Sequence, residues 1–166
     1  MIHIPLIVHN PKLSPEPVQT EAFYDHLDLL PTILDLAGVA HPDAYALGTS
    51  IVPVIRNPSR AVQDHTLFSF DDLFFLPPNF PNSHLRAIRS GEWIYAVYFT
   101  VDGSGIEYEL YNIKSDPLQL KNLAHGSPAP DVRKEWSRLH RALTTDLIVA
   151  SNLPDSFAWP LDPASA

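Results

Sequence analysis

The sequence predicts an α/β chain built in two unequal parts, and three observations predict it. Ile2 to Val8 is a short, nearly continuous apolar run of the kind shown by a strand buried on both faces. Asp28 to Gly38 reads as one complete, capped helix. Residues 85–113 hold three alternating, aromatic-rich segments separated by glycine turns, and a helical apolar stripe follows over 130–150. A buried strand at the start of a chain needs neighbours on both sides. The first part therefore reads as an incomplete piece of a larger sheet. The second reads as a small antiparallel sheet packed by an amphipathic helix. The expected boundaries are 1–60 for the first part, 61–150 for the second and 151–166 for a polar, proline-rich loose tail.

The elements follow in order. After the run ending at His9-Asn10-Pro11, residues 11–18 form a proline-rich surface loop, and Glu21 to His26 is a second strand candidate. In the helix, Asp28 is placed as the N-cap, Pro31 sits in the first turn where its missing N–H costs nothing, and Gly38 ends the helix in the left-handed conformation. Leu29, Leu30, Ile33, Leu34, Leu36 and Ala37 give it a wide apolar surface. Residues 41–55 are irregular, with Gly48 to Pro53 as a turn and a short helical piece. Thr66 to Phe70 is a strand, and Asp71 to Ser83 is a long loop carrying Phe74, Phe75 and Phe80.

Leu85 to Arg89, Glu92 to Thr100 and Glu107 to Ile113 complete an antiparallel meander, with turns at Ser90-Gly91 and at Asp102 to Gly105. Trp93, Tyr95, Val97 and Phe99 share one face of the middle strand. In the last helix Val132, Trp136, Leu139, Leu143 and Leu147 recur at helical spacing, Asp131 serves the first turn, and the stripe is expected to pack on the meander.

Composition excludes several functions. The chain has 166 residues with 45% hydrophobic content, enough for a soluble globular core. A net charge of −8 excludes the basic face a nucleic-acid binder needs, and attraction for an anionic substrate has to be local. With no cysteine there is neither a disulfide nor a thiolate metal site, which leaves the compartment open. No basic region precedes a long apolar run, so no signal peptide is expected within these residues, and the first apolar run is too short to span a membrane.

Several landmarks then fall in one order. Ile4-Pro5-Leu6-Ile7-Val8 resembles the V-P-L-I-V strand of the sulfatase family, within the alkaline phosphatase superfamily. Asp28 to Gly38 resembles that family's D-L-x-P-T-x-x-x-x-A-G helix, and Gly48 to Pro53 its G-x-S-L-x-P element. Leu67 to Asp72, Arg86 to Arg89 and Trp93-Ile94-Tyr95 resemble the strands of its small sheet. Glu109 to Asn112 with Asp116-Pro117 and Asn122 to Ala124 resembles its E-L-Y-D/N, D-P and N-L-A signature. Together they cover nearly all of residues 4–143 and place this chain in the C-terminal portion of a sulfatase.

What the resemblance implies lies partly elsewhere. In the family a formylglycine made from Cys or Ser in C/S-x-P-x-R attacks sulfur, and a divalent cation, usually calcium, stabilises the charge. Both belong upstream of the first strand, so no catalytic residue, metal ligand or cofactor is expected in this chain. Arg56-Asn57-Pro58-Ser59-Arg60 carries the P-S-R tail, but Arg56 stands at the nucleophile position and cannot do its chemistry. The implied partners are the N-terminal catalytic part of the same protein and its sulfate-ester substrate, with no nucleic acid and no membrane span. A stand-alone binding module, a complementing half of a split enzyme, and a phosphatase or phosphodiesterase of the superfamily remain alternatives.

Candidate chemistry is sparse. None of the eight histidines forms a metal pair at i, i+2 or i, i+4. Asp71-Asp72 is an adjacent acidic pair, read as a turn or helix cap. By resemblance, the segment 71–86 approaches the active-site mouth. Asp71, Asp72, Phe74, His84 and Arg86 are therefore the expected substrate-pocket residues, with His84 and Arg86 toward an anionic or polar group.

Overall fold

The computed structural model describes residues 4–13, 15–40, 48–72, 83–100 and 105–145. The chain divides into two compact units, Met1–Thr66 and Leu67–Ala166. The predicted tail, the 102–104 turn residues and Leu147 lie outside the described residues.

In the first unit a 3-10 turn, His26–Asp28, runs directly into helix α1, Leu29–Ala37, and helix α2 follows at Val52–Arg56. Asp28 does stand at the N-cap position of α1, but its side chain makes no capping hydrogen bond there. The side-chain cap is on the 3-10 turn: the Asp25 carboxylate accepts from Leu27 N at 2.9 Å, and Asp28 Oδ2 accepts from Asp25 N at 2.9 Å. Asp28 is instead a buried hub. Its carboxylate also accepts from Thr49 N at 2.7 Å and Gln63 Nε2 at 3.1 Å. Those partners lie 21 and 35 residues away, so local spacing alone assigns this aspartate to the wrong task. Gly38 does close α1 in the left-handed region, at φ 67°.

Side chains stitch α1 to the next segment. Thr32 Oγ1 accepts from Ile51 N at 3.0 Å, and Ser50 Oγ donates to Asp35 Oδ2 at 2.7 Å. At Gly48 a Cβ would stand 2.2 Å from Leu27 O, so only glycine lets the two backbones meet. Ile51, Val52 and Val54 are buried here.

Two strand expectations fail in this unit. Residues 4–8 and 21–25 form no ladder, and Ile4, Leu6, Ile7 and Val8 are exposed. A parallel strand is stable only with neighbours to take its hydrogen bonds, and the described residues of this unit supply none. The apolar face of α1 is likewise open: Leu29, Leu30, Ile33 and Leu36 are all exposed, Ile33 at 60%.

The second unit matches its expected form. Strands β1 (His65–Asp72, whose first two residues fall in the first unit), β2 (Ser83–Ser90), β3 (Trp93–Thr100) and β4 (Glu107–Asn112) make one sheet in the order β1-β2-β3-β4. β2–β3 and β3–β4 are antiparallel, and Gly91, at φ 56°, opens the two-residue turn between Ser90 and Trp93. Helix α3, Pro130–Thr145, lays Trp136, Leu139 and Leu143 against Ile88, Tyr95, Val97, Phe99 and Leu110. Asn122 pins the return segment to β4: its Oδ1 accepts from Leu110 N at 3.0 Å and its Nδ2 donates to Tyr108 O at 2.9 Å. No described helix is long and apolar enough to cross a membrane.

Candidate substrate-facing cluster

Three of the five expected pocket residues meet at the β1–β2 edge of the second unit. Asp71 and Asp72 do not occupy a loop or a helix cap. They are the last two residues of β1, because β1 runs two residues beyond its predicted end. Phe74, with Phe75 and Phe80, lies outside the described residues.

Alternation along β2 puts His84 and Arg86 on one face. Asp71 reaches both. Its Oδ1 accepts from Arg86 Nη1 at 2.7 Å and lies 2.6 Å from His84 Nδ1, while Oδ2 accepts from Arg86 Nη2 at 3.2 Å. Arg86 Nη1 also donates to Leu85 O at 3.0 Å. Below the cluster lies Phe99. Its ring stacks on His84 at 5.3 Å between centroids and 18° between planes, and the Arg86 guanidinium sits 5.8 Å from its centre. Sequence reasoning put Phe99 on one face of its strand but not at this cluster. The signal was available: counting register outward from the Gly91 turn pairs His84 with Phe99 directly.

The electrostatics follow from burial. His84 is 3% exposed and Arg86 fully buried. Burial works to raise the Asp71 carboxyl, but hydrogen bonds from Arg86 and His84 and their charge outweigh it, and Asp71 is held below the ordinary 3.8. Asp71 is therefore ionised at neutral pH and can only accept. Arg86 is committed to it in a two-bond, charge-balanced pair. Such a pair contributes rigidity, and removing one member leaves a buried charge alone.

Elsewhere, Tyr95 Oη lies 2.8 Å from His140 Nδ1 inside the α3–sheet core. Among the described residues no group of three or more His, Asp or Glu is arranged to hold a metal ion. In the P-S-R look-alike, Asn57 Oδ1 accepts from Ser59 N at 3.1 Å to close a turn, and Pro58 O accepts from Thr20 Oγ1 at 2.8 Å, so the described contacts of the segment are structural.

Comparison with known proteins agrees with this architecture. The family model described as N-sulphoglucosamine sulphohydrolase, C-terminal, matches residues 1–146. A delta 4,5-hexuronate-2-O-sulfatase of Bacteroides thetaiotaomicron is 32% identical over 91% of this chain and 29% of its own. Arylsulfatase K of Danio rerio is 29% identical over 85% of this chain and 25% of its own. A crystal structure of a Bacteroides thetaiotaomicron sulfatase superposes with a TM-score of 0.56 at 31% identity, covering 76% of this chain and 25% of that one. The chain thus spans about a quarter of the length of the relatives it matches. Its sheet, its closing helix and its residues 1–146 assign it to one family: the chain belongs to the sulfatases, as an N-sulphoglucosamine sulphohydrolase C-terminal domain.

Proposed function

We propose that this chain is the C-terminal part of an enzyme that hydrolyses sulfate esters, and that it is inactive alone. The observation that carries the proposal is the open apolar face of α1 with the exposed 4–8 run. Leu29, Leu30, Ile33 and Leu36 belong to a helix written for burial, and each such side chain buried contributes about 1.5–3 kcal/mol. The occupant proposed for that face is the N-terminal catalytic part of the same protein. No C/S-x-P-x-R motif stands in these 166 residues to supply the formylglycine, and by resemblance the calcium is held beside it. Both groups, with the nucleophilic step, fall to the N-terminal part.

Within that enzyme the second unit supplies one wall of the substrate pocket. Asp71, Asp72, Phe74, His84 and Arg86 are the residues proposed for it, with Arg86 holding Asp71 in place. The domain limits proposed for the enzyme are 1–60 and 61–150, with 151–166 as a tail.

The test has two arms. The 166-residue chain with calcium and p-nitrophenyl sulfate is expected to show no turnover. The DNA upstream of Met1 is expected to continue in frame to a C/S-x-P-x-R motif, and the longer product to hydrolyse sulfate esters. Robust turnover by the short chain overturns the proposal. So does an upstream stop codon with a stable monomeric product, which favours the binding module. Turnover of p-nitrophenyl phosphate in place of the sulfate favours a phosphatase.

A further inference from the structure

The sheet of the second unit has two faces, and α3 closes only one of them. Ile88, Tyr95, Val97 and Leu110 point to α3 and form the core with it. On the outer face Leu85, Ala87 and Arg89 of β2 stand beside Tyr98, Ala96 and Ile94 of β3, and these beside Glu107, Glu109 and Tyr111 of β4. None of these residues belongs to the core that α3 covers. On β1, Phe70 alternates with Asp71 and is 54% exposed. Ala87 and Ala96 are the smallest side chains of the outer face and a direct cross-strand pair. They make the floor of a shallow trough across the strands. Leu85 and Tyr98 form one rim, and Arg89, Ile94 and Tyr111 the other.

The sequence after α3 has the chemistry to fill that trough. Residues 151–166 carry Leu153, Phe157, Trp159 and Leu161 among prolines 154, 160 and 163. Their charged residues are Asp155 and Asp162, with no lysine or arginine. A segment so rich in proline is a poor ladder strand, but it suits an extended path over side chains. At about 3.3 Å per residue it is long enough to round an edge and cross four strands, roughly 15 Å in all. Area argues against a second copy in the same place. The outer face is roughly 15 Å square between backbone atoms, far below the about 800 Å² that each side of a stable dimer buries. A tethered segment needs no such area, because the chain itself supplies the effective concentration.

We propose that residues 151–166 strap the outer face of this sheet, with Trp159 seated on the Ala87–Ala96 floor and the acidic residues on the Arg89 side, away from Glu107 and Glu109. Trp159 is the largest apolar side chain of the segment, and an indole buried there removes about 150–250 Å² from water. The strap gives the second unit a third layer from its own chain. It draws 151–166 into the second domain and does not depend on the sulfatase reading.

The experiment is methyl NMR on the 166-residue chain, whose lack of cysteine allows a single labelling site. A spin label on Ser156→Cys is expected to broaden the methyl signals of Ala87 and Ala96 more than those of Leu139 and Leu143, which pack on the opposite face. Without any label, Trp159→Ala is expected to shift the Ala87 and Ala96 methyl signals through loss of the indole ring current. The Leu139 signals are expected to stay where they are. Absent broadening at the two alanines, or broadening no stronger there than at Leu139 and Leu143, overturns the strap. So do alanine signals that Trp159→Ala leaves unmoved. Broadening that arises only between labelled and unlabelled chains in a mixture, and fades on dilution, assigns the face to a second copy and overturns it too.

Discussion

The two units of this chain carry similar apolar patterning and use it differently. In the second, the stripe on α3 meets the inner face of the sheet, and Tyr95, Val97, Leu110, Leu139 and Leu143 are all fully enclosed. In the first, helix α1 is turned the other way: Thr32 and Pro31, with Asp28 just before it, are enclosed beside Ile51, Val52 and Val54, while Leu30 and Ile33 on the same helix face outward. The difference teaches that patterning reports what a segment is written to bury, not what is present to cover it. A unit with its own second layer closes on itself. The first unit holds its shape through hydrogen bonds to Asp28, Thr32 and Asp35 and leaves the apolar face of α1 open.

The largest expected effect separates the units physically. Residues 67–166 alone are expected to unfold in urea with a cooperative transition, followed by Trp93 and Trp136 fluorescence, and residues 1–66 alone are expected to show none. A cooperative transition in the shorter fragment breaks the comparison. Next comes Arg86→Ala, which empties a fully buried position and leaves Asp71 only its His84 contact, and is expected to destabilise the second unit by about 3 kcal/mol. Gly48→Ala is expected to loosen the first unit by about 1–3 kcal/mol, since its Cβ must push Leu27 away. Backbone amide shifts in α1 should move, and those in β3 and β4 should not.

Acid sharpens the contrast further, because one carboxyl in each unit is shifted, and with opposite sign. Asp71 is held below 3.8, so in the window beneath that value the unfolded chain binds more protons. The stability it gives is present above 3.8 and is lost as pH falls through its folded value. Asp25 is raised by burial and by the neighbouring Asp28 charge, despite hydrogen bonds from the Leu27 and Asp28 backbone. Its folded form holds the proton longer, so its contribution falls as pH rises from 3.8 through its folded value. Site-resolved carboxyl NMR titration checks both directions. The smallest effect is Lys114→Ala. Its 2.6 Å bridge to Glu92 is exposed at both ends, and its removal is expected to leave the urea midpoint of the second unit unmoved.

Legibility in the sequence follows the same division. The meander and α3 were readable because their signals are local: alternation in Trp93 to Thr100, the Gly91 turn, the 3.6-residue stripe from Val132 to Leu143. Asn122 was readable as an anchor because the residues it binds, Tyr108 and Leu110, are close in the chain. Ile2 to Val8 was read as a strand because its composition is that of one, but a ladder is a property of pairs. Asp28 was read as a cap because Thr49 and Gln63 are invisible to local spacing. At the candidate site the residue types were legible and their roles were not. Asp71 looked like a loop residue until β1 carried it within hydrogen-bond reach of Arg86, and Phe99 required counting register across a turn.

The central claim is that the first unit is written for a partner and the second is not. Native-state hydrogen exchange on the 166-residue chain tests it most directly, since it reads local opening residue by residue. Amides of β3, β4 and α3 are expected to exchange together, only through unfolding of the second unit. Amides of α1, from Leu34 to Ala37, are expected to exchange through local opening of the first unit, well before those of α3. Addition of the N-terminal catalytic part is then expected to protect α1 by at least the factor seen in α3. Protection of α1 in the isolated chain equal to that of α3 would contradict the account.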